Sequence, residues 1–129
     1  MKGQCLCRKV TVEIDEAPEY INICNCRFCR SLGAAWGYFR KAQVTVTGET
    51  KSYRRDDLDE IFLDGYFCPT CGTCTHYVNF AQPERDRMAV NTRLFEQDEL
   101  DGIEVRYLDL RGEDYIRTAT GKIGDGCAF

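Results

Sequence analysis

The sequence has no apolar run approaching the roughly 18 residues of a transmembrane helix, so no membrane-spanning helix is expected. Positive charge is in short supply too: 17 basic side chains against 21 acidic ones give a net charge of −4. That balance excludes a general electrostatic grip on nucleic acid or on an anionic membrane. The opening stretch, MKGQCLCRKVTVEID, holds neither an apolar h-region nor a cleavage site. No export signal is therefore expected, and a reducing cytoplasm is the implied compartment. Low-complexity segments, internal repeats and Pro/Ser-rich linkers are lacking as well, so residues 1–129 are expected to form one domain. Histidine occurs once, at His76, and reads as a polar residue on the outer face of a strand.

Cysteine, by contrast, is abundant. There are nine in 129 residues, far beyond ordinary intracellular usage. A disulfide framework would leave one thiol over, and a reducing compartment disfavours it. The thiols read as metal ligands.

Period-two alternation dominates the rest. Val10, Val12 and Ile14 alternate with Thr11 and Glu13, as in a half-buried strand. AAWGYF, AQVTVTG, EIFLDGYF, THYVNF, RMAVN and IEVRYLDL read as further strands, rich in β-branched and aromatic residues. Only CRFCRSLG and RLFEQDELDG suggest helix, the first ended by Gly33. The expected fold class is mostly β with short helical turns.

Two groups of thiols stand out. FCPTCG places Cys68 and Cys71 in a zinc-knuckle turn at the tip of a hairpin, with Pro69 fixing φ and Gly72 free to take a positive one. A knuckle supplies a pair of ligands and needs another pair. Cys5 and Cys7 of GQCLC can supply it, closing a structural site of four thiolates. Cys24, Cys26 and Cys29 form a separate Cys-x-Cys-x-x-Cys group, running from an extended segment into a helical turn. Three thiolates can hold zinc with the fourth position free for chemistry. The spacing leaves open whether Cys74, His76 or Cys127 closes it instead. Arg27 and Arg30 beside this group form either a solvated helix face or a pair of cations able to meet the carboxylates of an anionic substrate. Trp36 and Tyr38, on one face of their strand, can line a pocket near the thiolates or simply form core.

The ordered blocks GQCLC, CNCRFCR and FCPTCGT, followed by AVNTRLF and YLDLRGEDY, resemble the signature of the glutathione-dependent formaldehyde-activating enzyme family, which includes centromere protein V. The likeness runs through nearly the whole chain, although Arg8 and Lys9 follow the first Cys-x-Cys where the family usually has Gly. It implies a β-tent fold stapled by two zinc ions. It also implies a structural site at Cys5, Cys7, Cys68 and Cys71 and a catalytic zinc at Cys24, Cys26 and Cys29. The implied activity is that of a carbon–sulfur lyase acting on glutathione and formaldehyde. The alternative is a non-catalytic β-tent module that presents a β surface to a protein partner.

Overall fold

The computed structural model describes residues 1–109, together with the backbone of 116–122. Its strands are β1 (Lys2–Gln4), β2 (Thr11–Ile14), β3 (Tyr20–Cys24), β4 (Trp36–Arg40), β5 (Val44–Thr47) and β6 (Lys51–Arg54). They continue as β7 (Leu63–Phe67), β8 (Cys74–Asn79), β9 (Arg87–Asn91), β10 (Glu104–Asp109) and β11 (Ile116–Lys122). One α-helix, α1 (Arg27–Leu32), follows β3. The fold is mostly β, as expected.

Two sheets result, a small one ordered β1-β2-β5 and a large one ordered β11-β10-β3-β4-β9-β8-β7-β6. All neighbours are antiparallel except β10 and β3, which run parallel. The main core gathers Val12 and Ile14 of the small sheet with Ile21, Phe39, Val90 and Val105 of the large one. A second apolar cluster holds Cys24, Cys29, Trp36, Cys74, Ala89 and Leu108. The pleat separates the two: along β4, Trp36 belongs to one cluster and Phe39 to the other.

Several elements depart from the sequence pattern for identifiable reasons. RLFEQDELDG forms no single helix but 3-10 turns at Thr92–Leu94 and Gln97–Leu100. Phe95 and Leu100 both enter the core, a five-residue spacing that one helical face does not offer, and Phe95 is extended at φ −92°, ψ 155°. Strand β3 shows no alternation because it lies inside the large sheet and buries residues of both faces. Strand β6 is an edge with every residue exposed, so no apolar signal marks it. Among the described residues, no helix is long and apolar enough to cross a membrane.

Candidate functional site

The knuckle forms as a six-residue connection between β7 and β8, with Cys68 N donating to Thr73 O at 3.0 Å and Gly72 N to Cys68 O at 2.9 Å. Gly72 takes φ 73°, the left-handed conformation that closes such a turn. On the other side, Arg8 N donates to Cys5 O at 2.8 Å and folds the chain between β1 and β2 into a turn. Arg8 itself adopts φ 65°, so the backbone takes the shape glycine would give it despite the side chain.

These two turns bring the sulfurs of Cys5, Cys7, Cys68 and Cys71 within 4.8 Å of one another. Cys7 Sγ is 3.6 Å from both Cys5 Sγ and Cys68 Sγ. Tetrahedral zinc with Zn–S bonds of about 2.3 Å needs sulfurs about 3.8 Å apart, so the set fits that ion. Backbone donors already favour charge here. The N–H of Cys71, then that of Thr70, holds Cys68 below the ordinary thiol range. The Thr73 hydroxyl, with backbone N–H groups, lowers Cys71 to about 5. Lys9 N–H favours the Cys7 thiolate too, yet burial and the neighbouring sulfurs outweigh it and push Cys7 up to about 11. Protein groups alone do not hold all four as thiolates; a divalent cation bound among them would offset half of their charge and favour the ionised form of each.

The other group is built around one short helix. Cys24 ends β3, Cys26 is the N-cap of α1, and Cys29 lies within it. Cys26 N donates to Cys24 Sγ at 3.3 Å, Cys29 N to Cys26 Sγ at 3.4 Å, and Trp36 Nε1 to Cys29 Sγ at 3.2 Å. Gly33 closes the helix at φ 59°, as expected. The three sulfurs lie within 4.8 Å of one another, with Cys24 and Cys29 each 8% exposed. Hydrogen bonds from Cys24, then Cys29, push the Cys26 thiol far down, whereas the same sharing and burial push Cys29 far up. Trp36 is core and at the same time a hydrogen-bond donor to the Cys29 sulfur. Its ring stacks on Phe28 at 6.2 Å and meets Tyr77 edge-on at 4.7 Å.

Among the described residues, no fourth Cys, His, Asp or Glu ligand atom joins this trio within 4.8 Å. Cys74, which overlaps the knuckle as a second Cys-x-x-Cys, starts β8 and packs in the same apolar cluster as the trio; burial pushes its thiol up to about 12. His76 corrects the sequence expectation of an outward-facing residue. It is 6% exposed, stacked on Tyr66 at 4.5 Å, and its Nδ1 is hydrogen-bonded to Thr75 Oγ1 at 2.9 Å. Alternation pointed it outward, but β8 lies inside the large sheet, where both faces are covered. Cys127 lies outside the described residues.

A cavity of about 460 Å³ opens beside α1, lined by Arg27, Phe28, Leu32, Arg55, Tyr66 and Cys74 among others. Arg27 and Arg30 are both exposed, but only Arg27 borders it. Arg30 borders a shallower hollow with Cys24, Asn25 and Asp109. Arg55 was missed by the sequence analysis. In YRRDD it is one charge in a run, with nothing local to mark which arginine turns inward. The structure buries it against the cavity, close enough to Cys26 and Cys29 for their charges to interact.

No curated protein matches the chain. The crystal structure of a Rhodobacter sphaeroides protein, a structural-genomics target, is similar at a TM-score of 0.61 and 29% identity, covering 74% of this chain and 88% of that one. Residues 1–107 match the family described as glutathione-dependent formaldehyde-activating enzyme. Both thiol groups fall inside the matched span, and the chain belongs to the glutathione-dependent formaldehyde-activating enzyme family.

Proposed function

We propose that the protein is a carbon–sulfur lyase that makes and breaks the S-hydroxymethyl adduct of glutathione, or of a related thiol, with formaldehyde or a related aldehyde. The observation that carries this proposal is the trio of Cys24, Cys26 and Cys29, gathered within 4.8 Å with no fourth described ligand. Zinc held by these three sulfurs would supply the acidity that strips the proton from an incoming thiol. The chain's own part is to hold the ligands still. Trp36 fixes Cys29 Sγ, and the backbone N–H groups of Cys26 and Cys29 fix Cys24 Sγ and Cys26 Sγ. Phe28, Trp36 and Tyr77 keep bulk water from that side. Arg27, on the cavity rim, and Arg30, on the other flank, are placed to attract substrate carboxylates.

In the synthetic direction the substrate sulfur bonds to the aldehyde carbon. The carbonyl π pair becomes a hydroxyl that takes up the proton the thiol gave. Cleavage reverses each transfer. Cys5, Cys7, Cys68 and Cys71 serve a separate structural zinc in this proposal. Free thiols at both sites suit a reducing compartment such as the cytoplasm.

Exchange NMR with ¹³C-formaldehyde and glutathione tests the proposal directly. Zinc-loaded protein is expected to speed exchange between free aldehyde and adduct, and Cys26→Ser to abolish that acceleration. Exchange no faster than in buffer would leave the non-catalytic module as the better account.

A further inference from the structure

The cavity beside α1 contains a charge that the reaction above leaves unused. Arg55 follows β6, with its backbone N–H donating to Leu63 O at 2.9 Å. Its side chain is 11% exposed, and its guanidinium carbon stands 5.1 Å from the centre of the Phe28 ring. Nε donates to Asp57 Oδ1 at 2.7 Å and Nη2 to Asp57 Oδ2 at 3.3 Å.

That pairing does not explain the burial. Asp57 is only two residues away, and its side chain is 25% exposed. A pair so local forms equally well in solvent, without the cost of taking a guanidinium out of water. The remainder of the wall includes Phe28, Leu32, Tyr66 and Phe67, an apolar surround in which a charge is strong. Asp57 uses the Nε–Nη2 edge, whereas a guanidinium has a second edge, Nη1–Nη2, that accepts a carboxylate in the same bidentate way. The other acid on the wall, Asp56, is engaged by the Tyr53 hydroxyl at 2.7 Å.

We infer that Arg55 anchors a carboxylate of the thiol substrate in this cavity, with Asp57 as its resting counter-ion, so that the site selects anionic peptide thiols over small neutral ones. Arg55 is thus a positioning and specificity residue. Arg27, on the same wall, adds long-range attraction from an exposed position. The assignment rests on the proposed reaction at Cys24, Cys26 and Cys29, and it answers which feature of the thiol is read.

Calorimetric titration of zinc-loaded protein separates the two ideas. S-methylglutathione carries both carboxylates but no free thiol; 2-mercaptoethanol carries the thiol but no carboxylate. Arg55→Met is expected to weaken S-methylglutathione by about tenfold more than it weakens 2-mercaptoethanol, the worth of one charge-assisted pair. Asp57→Asn, which retains shape and releases the guanidinium, is expected to tighten S-methylglutathione. Unchanged S-methylglutathione affinity in both variants would overturn the assignment. Should Arg55→Met fail to fold, Asp57→Asn decides alone, and no tightening overturns it. A failure of the underlying lyase proposal looks different: 2-mercaptoethanol would not bind the wild type, whereas S-methylglutathione would still depend on Arg55.

Discussion

Arg8 sits at φ 65°, where an L side chain costs about 1 kcal/mol and glycine costs nothing sterically. Its side chain is exposed, so Arg8→Gly removes the strain without opening a cavity. Allowing for glycine's larger unfolded-state entropy, the net gain should be about 0.5 kcal/mol, seen as a higher urea midpoint at unchanged slope. His76 makes the opposite kind of test. Burial holds it neutral, its pKa lowered from 6.5 to about 4. Because the folded value lies below the unfolded one, the unfolded state takes up the proton first as pH falls. Stability is therefore complete above about 6.5, declines on acidification, and levels off near 4, a loss of up to about 3 kcal/mol. Acid would also release a metal held by thiolates, so the expected signal is the difference between wild type and His76→Asn across that window. Identical pH profiles would mean that His76 does not set the slope. Neither residue was fully legible beforehand. The sequence showed that Arg8 replaced a glycine but not that the backbone kept glycine's shape. It placed His76 on a strand but could not show that both faces of that strand are covered.

Helix α1 has six residues, too few to stand alone in water. Its ends are held by the Cys26 cap and by Gly33, and its middle by the indole bond to Cys29. The knuckle between β7 and β8 is likewise a turn, but its sulfurs meet partners from the far end of the chain, Cys7 and Cys68 being 61 residues apart. The two elements should therefore fail differently. Cys68→Ser forfeits much of the roughly 10–16 kcal/mol that a structural zinc contributes and should leave the domain unfolded or nearly so. Cys26→Ser should melt within a few degrees of wild type while losing activity. Equal destabilisation in thermal melts would mean that both groups are structural. Both turns were readable because ligand spacing, capping and the left-handed glycine are local properties of a few consecutive residues. Strands β3 and β6 were not, since one is buried on both faces and the other on neither, and alternation registers only the half-buried case. Arg55 escaped for a related reason: its inward turn is decided by Phe28 and the cavity, far away in sequence.

Over the whole molecule the proposed function has the two thiol groups divide the labour. Cys5 and Cys7 lie between strands of the small sheet, and Cys68 and Cys71 cap a hairpin of the large one, so a metal there ties sheet to sheet. Cys24, Cys26 and Cys29 tie only β3 to α1. Fully loaded protein is expected to contain two zinc ions per chain, counted by elemental analysis after anaerobic reconstitution. A chelator should remove them in order. The three-thiolate ion leaves first, taking activity with it, and near-ultraviolet dichroism changes only when the four-thiolate ion follows. One zinc or fewer after reconstitution, or a single concerted loss, would contradict this division.

The bond from Trp36 to Cys29 has a practical use as well. This is the only tryptophan in the chain, and its indole N–H points at the Cys29 sulfur 3.2 Å away. Any change of charge on that sulfur, whether a proton leaving, a cation arriving or a substrate drawing electron density, is felt first by the one fluorophore that dominates emission at long ultraviolet wavelengths. The protein therefore carries its own unlabelled meter, and stopped-flow fluorescence can time each arrival at the trio separately from turnover.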